Sequence, residues 1–409
     1  MKDIIRGNPE FARTINQKVL LNLILKQEAV SRAELAKISK LSRPTVSSII
    51  EDLKEQNFIM EVGLGTSGGG RRPVMIKINK ESIYLIGIDI NPDSITVALA
   101  NMGLQILDSI AVPIESATTK HQIIQHMFEG IDALLKRSKI DEQRVMGIGI
   151  SSPGQIDSKA GYVYSSNTIK NWNSVNLKEL FAEKYNIKTY VEHNVKAMAL
   201  RELWFGNNQN LKNFIVIKAG IGIGAGIVTN GKIYLGSKGN SGEFGHTFIS
   251  LDGPKCKCGN QGCLEAHADL EAIKRDILLL AKKSPTSQWK NEEAITTLQL
   301  YEALEKEDPI AKEVVQKAGM YMGIGIVNLI HLFNPEAIYL GGEMNKLWPF
   351  ISEPLLDMVE KRTIANLDTV VIRPLEGPAA LNSSSNNIGV QSAAAVVFDK
   401  EFQIPVRRV

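Results

Sequence analysis

Cysteine is scarce in this chain, at three residues in 409. So few exclude a disulfide framework, since one bridge would leave a thiol over. No uninterrupted apolar run reaches the ~18 residues that a membrane helix needs. The opening MKDIIRGNPEF lacks the apolar stretch of a secretory signal. Together these absences predict a soluble protein of a reducing cytoplasm with no membrane partner. Net charge is also small, at +3. What is plentiful is apolar residue, 44% of the chain, enough for sizeable cores in two or three domains.

The cysteine that exists is concentrated. The stretch from Gly242 to Glu265, GEFGHTFISLDGPKCKCGNQGCLE, holds Cys256, Cys258 and Cys263, ten to seventeen residues after His246. Three thiolates and one imidazole are a complete tetrahedral set for a structural Zn²⁺. Gly259 and Gly262 let the backbone wrap tightly around such an ion. Glu243 and Glu265 flank the four ligands without being needed by the metal, so a loop folded by zinc also places two carboxylates.

The small net charge is unevenly spread. Residues 1–80 carry 14 Lys and Arg against 8 Asp and Glu, and the remainder carries a slight acidic excess. A basic head on a mildly acidic body suggests a polyanion-binding module joined to another function. Residues 14–26 place Ile15, Val19, Leu20, Leu23 and Ile24 at helical spacing. Ser31 with Glu34 forms a capping box for a second helix. Ser42 caps a third, whose first turn tolerates Pro44. In the third helix Val46, Ile49, Ile50 and Leu53 share one face, and Pro44, Thr45, Ser47 and Ser48 the other, with Arg43 at its start. Small polar residues at the exposed start of a helix suit entry into a major groove. A strand over 58–62, the loop GLGTSGGGRRP and a strand over 74–78 then form a wing, with Arg71 and Arg72 placed for a minor groove. The head is predicted to be a winged helix-turn-helix.

From Tyr84 onward, YLIGID reads as a buried strand ending in an acidic residue and SITVALANM and LQILDSIAV as the next two strands of a meander, followed by a helix over 120–137 and the strand VMGIGI. The same grammar returns at Phe214–Lys218, a glycine turn AGIGIGAG, and short strands on either side of Asn230–Gly231. A repeated strand-meander-helix unit predicts a duplicated α/β body with a ligand cleft between two lobes. Ser383–Asn387 reads as an exposed loop, and Gly389–Val397 as an apolar stretch able to pack back on the first lobe.

The segments SSPGQID, SNTIKNWNSVNL, VEHNVKAMALRELWFG, GIGAGIV, GEFGH, CKCGNQGCLEA and NPEAIYLGG resemble the ROK family of repressors and sugar kinases over about residues 83–400. The resemblance implies an actin-like (ribonuclease H-like), sugar-kinase-type body of two lobes. The expected organisation is a winged helix-turn-helix domain over 1–80, a first lobe over 81–195, and a second lobe with the zinc loop over 196–385. A C-terminal helix over 386–409 would return to the first lobe. The resemblance assigns sugar contacts to Asn167, His193, Asn194, Glu243, His246 and Glu265. Trp172 reads as core more readily than as a sugar platform.

Kinases of the family use an aspartate as general base where this chain has Asn194, and an amide cannot take that proton. Their first phosphate loop is replaced by Asn91–Pro92–Asp93, which loses a backbone donor and gains a charge that repels phosphate. Their second loop keeps a hydroxyl where Ile221 stands. The expected function is therefore a sugar-responsive DNA-binding regulator of carbohydrate genes, a repressor without kinase chemistry. It would act as a homodimer or tetramer on a palindromic double-stranded operator, with a sugar or sugar derivative as effector. The rival readings are an active sugar kinase with a regulatory head, and a repressor controlled by a partner protein.

Overall fold

The computed structural model describes residues 9–66, 72–115, 117–207, 211–284, 287–367, 369–376 and 387–403. Arg71 of the expected wing, and Ser383–Asn386 of the expected loop, lie outside them.

The head comprises α1 (Pro9–Leu25), β1 (Val30–Ser31), α2 (Arg32–Ser39), α3 (Arg43–Glu55), β2 (Ile59–Leu64) and β3 (Val74–Ile78). Its helix starts are written locally. Ser31 Oγ accepts from the Glu34 amide at 3.2 Å while the Glu34 carboxylate accepts from the Ser31 amide at 2.9 Å, a closed capping box. Ser42 Oγ accepts from the Thr45 amide at 3.2 Å, with Pro44 in the first turn of α3. Val46, Ile49, Ile50 and Leu53 of α3 are buried against Leu20, Leu21 and Ile24 of α1 and Leu35 of α2. The three strands pair in the order β1-β3-β2, and the Gly65 amide donates to the Pro73 carbonyl beyond the ladder. This is a winged helix-turn-helix.

The first lobe follows with β4 (Tyr84–Ile90), β5 (Ser94–Asn101), β6 (Ile106–Pro113), α4 (Lys120–Ser138), β7 (Val145–Ser152), β8 (Gln155–Asp157), β9 (Tyr162–Ser165), β10 (Val175–Asn176), α5 (Leu177–Lys184), β11 (Thr189–His193) and α6 (Asn194–Phe205). The second contains β12 (Phe214–Gly220), β13 (Gly222–Thr229), β14 (Lys232–Ile233), α7 (Leu264–Ala268), α8 (Leu270–Ala281), α9 (Thr297–Glu305), α10 (Pro309–Phe333), β15 (Ala337–Gly341), α11 (Trp348–Arg362) and β16 (Val371–Pro374), and α12 (Ile388–Phe402) closes the chain. The two main sheets have one topology. Their orders are β11-β7-β4-β5-β6 and β16-β15-β12-β13-β14, each a parallel trio extended by an antiparallel meander. The body is a duplicated, two-lobed α/β structure of the actin-like kind.

Two expectations change in detail. The glycine-rich AGIGIGAG is a turn only at Gly220–Gly222, and from Gly222 onward it is strand β13. Its glycines make room for α6 lying across it: a Cβ on Gly226 would sit 2.5 Å from the Val195 carbonyl oxygen. The expected boundary between residues 195 and 196 falls inside α6, which touches both lobes. At the chain's end, α12 nests on the first sheet because small residues let its backbone approach. A Cβ on Gly87 would meet the Val390 carbonyl oxygen at 2.2 Å, and one on Gly149 the Ala393 carbonyl oxygen at 1.9 Å. Among the described residues no helix is long and apolar enough to cross a membrane.

Candidate functional site: a cysteine-histidine loop, a cleft and the third helix of the head

The loop after β14 turns back on itself through isolated bridges, Phe248 with Cys263 and Lys255 with Gln261. Gly259 and Gly262 take φ of +92° and +75°, values a side chain resists. The result brings the ligand atoms of His246, Cys256, Cys258 and Cys263 within 4.8 Å of one another. Tetrahedral bonds of about 2.3 Å to sulfur and 2.0–2.1 Å to nitrogen require S···S edges near 3.8 Å and N···S edges near 3.6 Å. Cys258 Sγ to Cys263 Sγ is 3.8 Å, and His246 Nδ1 to Cys256 Sγ is 3.6 Å. The four residues form a group able to bind a metal ion, and two observed edges match those of tetrahedral zinc.

The same loop supplies one wall of the cleft. Glu243 precedes a single 3₁₀ turn ending at His246, and the Gly242 carbonyl accepts from the Ala225 amide at 2.8 Å, which pins the turn to β13. Glu265 opens α7, with Oε2 accepting from the Ile223 amide at 3.0 Å and Oε1 3.9 Å from Cys256 Sγ. One carboxylate oxygen of Glu265 is thus already used in bracing the Gly220–Gly222 turn. The facing wall is the start of α6. His193 is its N-cap residue, and its side chain makes no capping bond. Among the described residues its Nδ1, closed from solvent, has no partner, and burial, with Lys196 and Lys218 nearby, pushes the imidazole down to about 3. The ring is therefore neutral, able to donate and to accept. Asn194 is buried beside it, and Val195 packs against Gly224 of β13.

Of the six residues expected to meet a sugar, His193 and Asn194 lie on the α6 side, and Glu243, His246 and Glu265 on the loop side. Asn167 sits exposed in the turn after β9, where among the described residues it makes no hydrogen bond to the other five. Trp172 is fully buried and donates Nε1 to Ser152 Oγ at 3.0 Å, so it is core.

Three cleft residues escaped the sequence reading. Lys196 is 4% exposed, donates to the Gly239 carbonyl, and faces Glu192 and Glu243; burial lowers its pKa. A lysine inside the apolar run of α6 is the signal that could have found it. Lys218, at the end of β12, donates to Asn91 Oδ1 at 3.1 Å and so joins the lobes; Asn91 in turn donates to Asp89 Oδ2 at 2.6 Å. Glu343 lies over the turn, since a Cβ on Gly220 would be 3.3 Å from its carboxylate. Burial raises its pKa, and of the charges around it Lys218 and Asp93 act on it most strongly. No local pattern marks either residue.

On the head, Arg43, Pro44, Ser47 and Ser48 are exposed and Thr45 half-buried. Thr45 Oγ1 is 2.8 Å from Ser42 Oγ, and Ser48 Oγ accepts from Arg13 at 3.1 Å. Arg72 is exposed at the base of the wing.

A winged helix-turn-helix carried on a duplicated two-lobed body with a Cys₃His loop beside its cleft defines a DNA-binding regulator built on a sugar-kinase-type scaffold. The ROK family model matches residues 85–400, and a winged helix-turn-helix DNA-binding model matches residues 13–60. The chain belongs to the ROK family. It is similar to the xylose repressor of Caldicellulosiruptor bescii, 31% identical over 360 residues that cover 87% of this chain and 90% of that protein. It is also similar to the DNA-binding transcriptional dual regulator NagC of Escherichia coli K12, 30% identical over 345 residues covering 83% of each. Among solved structures, a ROK family transcriptional regulator described as a homologue of the E. coli MLC protein superposes with a TM-score of 0.78 at 25% identity. That match covers 96% of this chain and all of the other.

Proposed function

We propose that this protein is a sugar-responsive transcriptional repressor of carbohydrate genes, whose kinase-like body binds an effector without phosphorylating it. Similarity to a xylose repressor across 87% of the chain, head and body together, carries the reading. The chemistry of the cleft supports the absence of transfer. Asn194 occupies the position from which an aspartate would deprotonate a sugar hydroxyl. The first phosphate loop is a tight hairpin, Pro92–Asp93, closed by the Asn91 amide on the Ser94 carbonyl at 2.9 Å. The second is covered by the Glu343 carboxylate, which faces Asp93. Two acids and a missing amide donor repel a nucleotide where a kinase would hold one.

In this reading His193, Asn194, Glu243, His246 and Glu265 hold sugar hydroxyls, with Asn167 reaching the ligand from its loop. His246, Cys256, Cys258 and Cys263 hold a structural Zn²⁺, which supplies a fixed, closed coordination centre and no reactive position. Zinc on Nδ1 would set the tautomer and aim of the His246 ring. Arg43, Pro44, Thr45, Ser47 and Ser48 meet the major groove, and Arg71 and Arg72 the minor groove. Two copies, as a homodimer or within a tetramer, would place their α3 helices about 34–36 Å apart on a palindromic operator in the cytoplasm.

A thermal-shift series with D-xylose, D-glucose, N-acetyl-D-glucosamine and their phosphates tests the effector site, since a ligand of the native state raises Tm by mass action. At least one is expected to shift the melt, and Glu243→Gln to abolish that shift. Silence across the series refutes the reading. Steady ATP turnover with any of these sugars refutes the loss of kinase chemistry.

A further inference from the structure

Two helices run from the cleft to the head. The first, α6, begins at Asn194 and Lys196 in the cleft and ends at Trp204 and Phe205, whose rings lie 5.1 and 5.0 Å from Phe398 of α12. The second, α12, begins against the first phosphate loop, where a Cβ on Gly389 would sit 1.9 Å from Asp89 Oδ2. It ends at Phe402, 4.5 Å from Phe398 and 6.4 Å, edge-on, from Phe58 of the head. Phe58 lies three residues beyond the end of α3 and donates its amide to the Leu53 carbonyl at 2.9 Å, so the ring is tied to the recognition helix. Asn22 of α1 also donates to the Phe402 carbonyl at 3.4 Å. The head is therefore no free module on a tether: Leu20, Ile24, Val46, Phe398 and Phe402 belong to one apolar core.

The seam between α6 and α12 is unlike that core. Arg201, wholly buried, donates Nε to Gln391 Oε1 at 3.0 Å, while among the described residues neither of its Nη atoms has a partner. Trp204 Nε1 donates to the buried Asp399 at 3.0 Å. Burying a guanidinium is costly unless its hydrogen bonds are made. The seam thus carries buried polar contacts, whereas the joint at its head end is aromatic.

We propose that α6 and α12 form a paired strut that carries the arrangement of the lobes to the recognition helix. Its cleft end is the Lys218–Asn91–Asp89 tie and its head end the Phe398–Phe402–Phe58 stack. This rests on the cleft being the effector site, but its test needs neither sugar nor DNA. Hydrogen exchange is followed by mass spectrometry on the full-length, metal-loaded protein. Lys218→Met severs the tie between the lobes, and is expected to change exchange of amides over residues 43–64, far from the substitution, by about three-fold or more. Adding Phe58→Leu, which keeps an apolar side chain but loses the edge-on ring contact, is expected to remove that distant response and leave the change around β4 and β12 intact. Exchange altered only around the cleft by Lys218→Met overturns the proposal, as does a head response that survives Phe58→Leu. Either result leaves the sugar reading standing, which the thermal-shift series decides separately.

Discussion

Replacing His193 by asparagine should change how stability depends on pH, and the size of the change follows from where the imidazole sits. The ring is half-buried, its Nδ1 has no access to water, and Lys196 and Lys218 face it. Burial first, and those two charges second, push it from the ordinary 6.5 down to about 3. The folded protein therefore keeps this ring neutral at pH values where the unfolded chain protonates it. Because the unfolded state then binds more protons, stability falls as pH drops from about 6.5 towards about 3, and is complete above that window. Between pH 7.5 and 5.5 the loss is about 1.4 kcal/mol, which requires only that the folded value lie below about 4.5. Urea unfolding of wild type and His193→Asn at both pH values measures it. Acid would weaken any metal held by the Cys₃His loop in both proteins alike, so the double difference cancels that loss. The wild type should lose about 1.4 kcal/mol more than the variant. Equal losses would refute the claim that a neutral imidazole faces two lysines in the cleft.

Three further outcomes are expected. Gly149→Ala drives a methyl against the Ala393 carbonyl, 1.9 Å away, and should cost at least about 1–3 kcal/mol in thermal or urea denaturation by unseating α12. Ser31→Ala breaks the capping box of α2 and should lower stability by about 1 kcal/mol, read from the same denaturation. Cys256→Ser should remove one metal equivalent by elemental analysis and lower Tm; an unchanged metal content would remove Cys256 from the ligand set.

Much of the head is legible because its signals are local. Ser31 with Glu34, Ser42 with Pro44, and the spacing of Val46, Ile49, Ile50 and Leu53 each act within one or two helical turns, and the structure shows each doing so. The duplicated body is legible for a related reason, since each meander is written as short apolar runs bounded by turn residues, such as YLIGID and the strands on either side of Asn230–Gly231. Legibility fails where a residue's role depends on a distant partner. Lys218 looks like an ordinary strand end until folding brings Asn91 to it from 127 residues earlier. The glycines of AGIGIGAG suggest a turn because glycine is common there; in the fold they are strand, kept small by the approach of α6. A split of the lobes beside residue 195 likewise overlooks that α6 packs on β13 as well as on its own lobe.

The Asn91–Asp93 hairpin and the Gly220–Gly222 turn are far apart in the sequence and are brought together in the structure by Lys218 and Glu343. Asp93 and Glu343 share one end of the cleft with Lys218, whose ammonium joins Asn91 across it. In a kinase a bound nucleotide would lie between the lobes at that end. Here a lysine and an asparagine already join them. On this reading the body needs no nucleotide to hold its lobes together, and the only ligand whose arrival can alter them is the one at the other end, between α6 and the metal-binding loop. That end is also where α6 begins, while Asp89, the last acceptor of the tie, lies against the start of α12. A body without phosphoryl transfer would thus be left with closure alone, and the helices leaving both ends of the cleft would give that closure a route to the recognition helix.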